Sequence, residues 1–317
     1  MNQDNSSQPA HRRAIALCAD ARFLPHAAFL ANQIAGQNPW RDYDICICSA
    51  EALTLPAQLA APGLRIIQIT PGADYGALHD ADLPRSTYLR LWVAEALAPD
   101  YDRILYLDAD MFLEAGDPGL LLDLDLGPHA VAAVRDMQQW STPLKEVSEF
   151  KAMGWPAAPY FNAGLMLIDT TRFQADRVLA RALEFRTAHP DAVHHHDQSL
   201  LNCVLRGNWA ELSPVWNWQW VAKRPLFALW SGARLVHFVG HLKPWNDPRG
   251  VYPLRYAIAY AAFFARYFPD LPVVPVAQET LQSRGKDFAL VMVQHLAGRG
   301  RINRYLQRFR DERHVIA

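Results

Sequence analysis

The stretch Arg103-Ile-Leu-Tyr-Leu-Asp108-Ala-Asp110-Met-Phe112 constrains the fold more than any other, because an apolar run halts abruptly at two carboxylates with one residue between them. Near-continuous hydrophobicity at Ile104, Leu105 and Leu107 is the pattern of a strand covered on both faces in a parallel sheet. Ligands of such sheets bind beyond the carboxyl ends of the strands, where the two aspartates stand. Residues i and i+2 of a straight strand share a face, so Asp108 and Asp110 are expected to converge on one hard cation. The competing reading of any isolated Asp-x-Asp is a turn with exposed aspartates. The apolar run ahead of it favours the site.

A chain of 317 residues allows one large α/β domain or a domain with a smaller appendage. With 51% apolar and 20% charged residues it has a globular composition, and a net charge of −1 gives no footing for nucleic acid. Cys18, Cys46, Cys48 and Cys203 form no C-x-x-C and read as reduced core residues. The polar start, with residues 1–12 expected as a disordered tail, carries no apolar signal-peptide core, and no stretch reaches the roughly 18 apolar residues of a membrane span. The expected location is therefore cytoplasmic.

Ala14–Ala19 reads as a first strand ending at Asp20, followed by a helix from about Pro25 to a stop at Gly36. Asp44–Ser49 and Leu64–Ile69 are the next strands, so the rhythm is βαβ and the sheet parallel. The absence of G-x-G-x-x-G after the first strand argues against a dehydrogenase-type dinucleotide fold. Ser86–Leu97 reads as a helix capped by Ser or Thr, with Arg90 near its start. That arginine is either solvated or buried against a carboxylate or anion.

Ala130–Val134 is a further buried strand, ending at Arg135-Asp136. The irregular, Trp- and Pro-rich segment from Trp140 to Pro159 suits a binding loop or lid. Tyr160–Asp169 supplies a strand whose Asn162 and Gly164 are unusual for a plain core. Gly164 marks either a bulge or a close approach. Thr170 or Thr171 is expected to cap a helix through Val178, Ala182 and Phe185, and a second helix follows from His194 to Arg206. The three consecutive histidines cannot all face one metal from a helix, so they read as a solvated loop or helix start. Trp209, Trp216, Trp218, Trp220 and Trp230 read mainly as core. Leu235–Trp245 carries a strand that ends in His237, Gly240, Lys243 and Pro-Trp, able to complete a metal site and to cradle a phosphate. Past an expected break at Gly298-Arg-Gly300, the apolar residues Ile302, Tyr305, Leu306 and Phe309 alternate with arginines over 299–313. That helix either docks on the core or lies on an anionic membrane surface.

In this order, Ala19-Asp20, Ser86-Thr-Tyr-x-Arg90-Leu, Leu105-Tyr-Leu-Asp-x-Asp110, Tyr160-Phe-Asn-Ala-Gly164, Asp197-Gln198 with Leu201-Asn202, and His237-Phe-x-Gly-x-x-Lys-Pro-Trp245 resemble glycosyltransferase family 8. That family comprises retaining glucosyl- and galactosyltransferases of lipopolysaccharide core synthesis, with glycogenin as a eukaryotic relative. The resemblance implies a GT-A nucleotide-sugar fold over 13–250 with a mostly parallel sheet, a helical region over 251–317, a UDP-hexose donor and a saccharide or glycolipid acceptor. It implies Mn²⁺ or Mg²⁺ on Asp108, Asp110 and His237. By position, Gly240 and Lys243 would serve the diphosphate and Asp20 the uridine. Arg90, Ala109, Asn162 and Ala163 would line the donor site, with Asp136, Asp197 and Gln198 at the reacting sugar. The basic stripe after Gly300, for its part, would hold such an enzyme at the inner face of the cytoplasmic membrane, near a lipid-linked acceptor. Two departures stand out: Ser199 replaces a carboxylate common in the family, and Arg22 stands where Asn is common. An Asp108-dependent phosphatase, or a sugar-binding relative without activity, are the other classes. The former usually needs Asp-x-Asp-x-Thr, and Phe112 occupies the last position.

Overall fold

A computed structural model describes residues 8–59, 63–72, 75, 86–220, 232–277 and 285–317. Among these residues, seven strands form the main sheet: β1 (Arg13–Cys18), β2 (Asp44–Ser49), β3 (Leu64–Gln68), β4 (Arg103–Leu107), β6 (Val131–Arg135), β7 (Phe161–Asp169) and β8 (Ala210–Glu211). They lie in the order β3-β2-β1-β4-β7-β6-β8. Pairing is parallel from β3 to β4 and between β6 and β8, and only β7 runs against its neighbours. The sheet is thus mostly parallel, and its middle strands are buried on both faces, as their unbroken apolar runs require. A second sheet of three strands, in the order β5-β10-β9, joins β5 (Met111–Leu113), β9 (Trp218–Trp220) and β10 (Leu235–Phe238).

Helices α1 (Leu24–Gln37) and α2 (Ser86–Leu97) pack on opposite faces of β1. Leu30, Ala31 and Ile34 of α1 share a core with Ile15 and Leu17, and Leu89, Val93 and Leu97 of α2 share one with Ala14 and Ala16. Next come α3 (Ser148–Ala152), α4 (Thr170–Ala175), α5 (Val178–Ala188) and α6 (His196–Val204). The expected single helix after β7 is in fact two. Asp169, not Thr170 or Thr171, caps α4 by accepting from Arg172 N at 2.9 Å, and Arg177, with φ of 51°, breaks the chain before α5. The Trp- and Pro-rich segment is irregular, as expected, yet anchored, since Trp140, Val147 and Phe150 are buried. Trp209, Trp216, Trp218 and Trp220 are core residues. Trp230, the start of the polar tail and the side chain of the expected cap Ser86 lie outside the described residues.

The C-terminal region closes one face of the core through α7 (Leu254–Tyr267) and α8 (Gly285–Leu306). The break expected at Gly298-Arg-Gly300 is absent, because α8 runs straight through it. Ile302, Tyr305 and Phe309 are buried in the same core as Ile15, so this stripe docks on its own protein. Glu211 fastens it: its carboxylate accepts from Tyr305 Oη at 2.7 Å and pairs with Arg135 and Arg308. Ile316 then forms an antiparallel bridge to Glu211 at the edge of β8.

Candidate active site

Strand β4 ends at Leu107, and the two carboxylates sit on a tight turn before β5. Their convergence therefore comes from the turn and not, as expected, from two side chains on one strand face. Asp108 is held at the sheet by its backbone N–H, which donates to Gly164 O on β7 at 2.8 Å. Its Oδ1 accepts from Tyr106 Oη at 2.8 Å and faces Arg90 Nη2 at 3.0 Å. Asp110 is carried to β10 by the second sheet, where Met111 pairs with His237 and Phe238 N donates to Asp110 O at 3.1 Å. His237 Nε2 lies 3.2 Å from Asp110 Oδ1 and 3.7 Å from Asp108 Oδ2. One ligand atom from each of the three residues falls within 4.8 Å of the other two.

This donor set fits a divalent cation. Asp110 Oδ1 is buried and accepts no hydrogen bond among the described residues, and two carboxylate oxygens with one imidazole nitrogen suit Mn²⁺ or Mg²⁺ better than a soft metal. Burial alone would push the Asp110 carboxyl up, but Lys243, with Nζ 2.6 Å from Oδ2, holds it well below the usual carboxylate range. Gly164 makes room for the imidazole: a Cβ there would lie 2.3 Å from His237 Cε1. Both readings of Gly164 thus have substance, since a register shift also falls between β6 and β7 at Ala133/Val134.

Arg90 is buried and paired, which resolves its two readings. Its Nε lies 2.8 Å from Asp197 Oδ2, its Nη1 donates to Ala163 O at 2.9 Å, and its guanidinium covers the Tyr106 ring at 5.0 Å. Burial pushes the Asp197 carboxyl up to about 6 against the pull of Arg90. Asp136, also raised by burial, accepts from Gln138 N at 2.9 Å and from Gln198 Nε2 at 3.3 Å. Gln198 Oε1 accepts from Asn162 Nδ2 and from Ala163 N, each at 3.1 Å, so its carbonyl is turned onto β7.

Two clefts meet at Arg90 and Asp108. One, of about 540 Å³, is lined by Arg22, Ala109, Asp110, Gly240 and Lys243. The other, of about 350 Å³, is lined by Asp136, Asn162, Asp197, Gln198 and the three histidines. Asp20 is set back from the first wall: its Oδ1 accepts from Phe23 N at 2.9 Å, and Arg22 and Phe23 face the cleft. The histidines occupy a loop and helix start, as expected, with His196 at φ of 52°.

Three residues of this site went unremarked in the sequence. Asn217 and Gln219 alternate with Trp216, Trp218 and Trp220, and that period of two was the available signal that a polar face opposes the tryptophans. Gln219 bridges Met137 N, at 2.8 Å, and Arg135 O, at 2.9 Å. Glu149, fully buried, gathers Tyr160 Oη at 2.8 Å, Ser199 Oγ at 2.7 Å and His195 Nδ1 at 2.7 Å. Nothing in its own neighbourhood of sequence marks it.

The model of the family described as glycosyl transferase family 8 matches residues 14–248. General stress protein A of Bacillus subtilis is 31% identical over 186 residues, covering 54% of this chain and 63% of its own length. A lipopolysaccharide 1,2-glucosyltransferase of Escherichia coli is 27% identical over 221 residues, covering 67% and 63%. This chain thus spans under two thirds of the length of these relatives. Among solved structures, the galactosyltransferase LgtC with donor and acceptor sugar analogues superposes with a TM-score of 0.63 at 20% identity, covering 78% of this chain and 95% of that one. That likeness speaks for the GT-A fold.

Proposed function

Because the chain belongs to glycosyl transferase family 8, we propose that it is a metal-dependent, retaining hexosyltransferase that moves glucose or galactose from a UDP-sugar to a surface saccharide or glycolipid. The observation that carries the reading is the Asp108, Asp110 and His237 cluster at the junction of two polar clefts. The larger cleft would take the nucleotide diphosphate, with Gly240, at φ of 91°, and Lys243 at its wall, and the smaller would take the reacting sugar and the acceptor. A divalent cation on the three ligands would neutralise charge on the departing diphosphate. The catalytic unit would span 13–250, with 251–317 closing its core.

The protein's own residues favour acceptor attack on the same face as the leaving group. Double displacement needs a free nucleophile behind the anomeric carbon. Ser199 is buried and donates to Glu149, Asp197 is paired with Arg90, and Asp136 holds Gln198. Asp136 and Asp197 would then stabilise positive charge developing on the sugar ring, with Gln198 placed between them. The leaving diphosphate would accept the acceptor's proton. A phosphatase reading is disfavoured by Asp108 itself, whose oxygens are engaged by Tyr106 and Arg90.

Membrane attachment has a different support from the one expected. The apolar stripe after Gly300 is buried, but α8 ahead of it exposes Leu290, Val293 and Leu296, followed by the exposed Arg299, Arg301 and Arg304. Exposed apolar residues followed by arginines suit a peripheral position on the anionic inner leaflet. Among the described residues, no helix is long and apolar enough to cross a membrane.

The deciding experiment measures UDP and phosphate release from UDP-glucose, UDP-galactose and phosphomonoesters, with and without Mn²⁺. Asp110→Ala should abolish Mn²⁺-dependent UDP release in a folded protein. Full activity in that variant, or in excess chelator, sinks the metal assignment, and release of phosphate from a monoester revives the phosphatase.

A further inference from the structure

His237 is tied to the smaller cleft by a series of side-chain amides that all point one way. Its Nδ1 lies 3.0 Å from Asn217 Oδ1. Asn217 is completely buried, and its Nδ2 donates to Asn162 Oδ1 at 2.9 Å. That oxygen also accepts from the backbone N–H of Gly164 at 3.1 Å, which identifies it as the carbonyl of Asn162. With its amino group so committed, Asn217 has only its own carbonyl to offer His237. The ring proton therefore resides on Nδ1, and Nε2 is turned toward Asp108 and Asp110. The series continues as Asn162 Nδ2 donates to Gln198 Oε1 at 3.1 Å, and ends as Gln198 Nε2 donates to Asp136 Oδ2 at 3.3 Å. Each bond in such a chain polarises the next, and the terminal carboxylate sets the direction.

We propose that Asn217 is a positioning residue for the metal site: anchored through Asn162 and Gln198 on Asp136, it locks the His237 ring in the orientation and tautomer that present Nε2 to a divalent cation. The inference rests on the reading of Asp108, Asp110 and His237 as cation ligands. Its physical basis is general, since a ligating imidazole whose second nitrogen donates to a fixed acceptor is both oriented and made more basic. The same chain gives the sugar-side residues a direct line to the metal ligand. Reorganisation of Gln198 by an occupant of the smaller cleft would be felt at His237.

The test is Mn²⁺ affinity, titrated by electron paramagnetic resonance on the full chain with saturating UDP, in wild type, Asn217→Leu, His237→Gln and the double variant. Leucine fills the space of the amide while removing its acceptor. Where Asn217→Leu fails to fold, Asn217→Ala takes its place in the same cycle. The single Asn217 variant should bind Mn²⁺ about 10–100-fold more weakly, and the double variant no more weakly than His237→Gln alone. Losses that multiply instead show that Asn217 acts on the fold at large and not through His237. Unchanged affinity in the Asn217 variant likewise overturns the proposal while leaving the metal site standing. Failure of the wild-type protein to bind Mn²⁺ overturns the cation reading and the positioning role with it.

Discussion

Adding one methyl group at Gly164 tests the architecture of the site more sharply than removing a ligand. Its backbone φ is not in the left-handed region, so alanine brings no conformational strain, and the whole effect is steric. The new Cβ would stand 2.3 Å from His237 Cε1, 2.7 Å from Nδ1 and 2.9 Å from Asn162 Oδ1. Carbon atoms pack at about 3.5 Å or more, so the ring must retreat by roughly 1 Å. It has nowhere easy to go, being only 4% exposed and tied to Asn217. Overpacking of this kind costs about 1–3 kcal/mol, which for a chain of this size lowers Tm by about 2–5 °C. Metal–ligand distances tolerate only about 0.2 Å, so Gly164→Ala should weaken Mn²⁺ binding at least as much as losing Asn217 does. Scanning calorimetry and Mn²⁺ titration of the same preparation give both numbers. Wild-type Mn²⁺ affinity together with a Tm within about 1 °C of wild type would refute the close approach of His237 to β7.

Other outcomes follow from the same geometry. Glu149→Ala strands two buried hydroxyls, each costing about 1–3 kcal/mol, and releases the exposed His195 imidazole to solvent, so it should be among the most destabilising single changes in denaturant unfolding. Burial would raise the Glu149 carboxyl, but His195, Ser199 and Tyr160 bring it down to about 2, so its stabilisation is present above the ordinary value of 4.5 and lost as pH falls toward 2. Unfolding of wild type and Glu149→Gln at pH 6 and pH 3 should therefore show the two converging in acid; a constant gap contradicts the assignment. Asp197, raised to about 6 by burial, must ionise to pair with Arg90, so UDP release should climb with pH through about 6, and Asp197→Asn should flatten that limb. Replacing Arg299, Arg301 and Arg304 by Glu should abolish sedimentation with anionic vesicles, each charge near the surface contributing about 1 kcal/mol, and unchanged sedimentation removes the membrane reading. Product anomers assigned by NMR should retain the α-configuration, and a β-linked product excludes retention.

Features written in local pattern were legible before any coordinates. The strands over 13–18, 44–49, 64–68, 103–107, 131–135 and 161–169 follow from apolar runs punctuated by polar or Pro/Gly residues, and the order of motifs points to the fold. The abrupt stop of the 103–107 run located the carboxylates. Local pattern also located His237, at the end of another apolar strand, and the irregular segment before β7. What tertiary structure decided concerns residues far apart in the chain. A second sheet pairs Met111 with His237 and so brings the imidazole to the two aspartates, and register between distant strands is invisible to any window of sequence. Whether Arg90 is solvated or buried depended on Asp197 and Asp108 arriving from two other elements. The glycines at 298 and 300 weaken a helix locally, yet α8 continues through them because Ile302, Tyr305 and Phe309 are buried beyond and Glu211 fixes that end. Asn217 and Glu149 are ordinary polar residues by composition. Only their complete burial, where an unmet hydrogen bond is costly, makes them supports of the site.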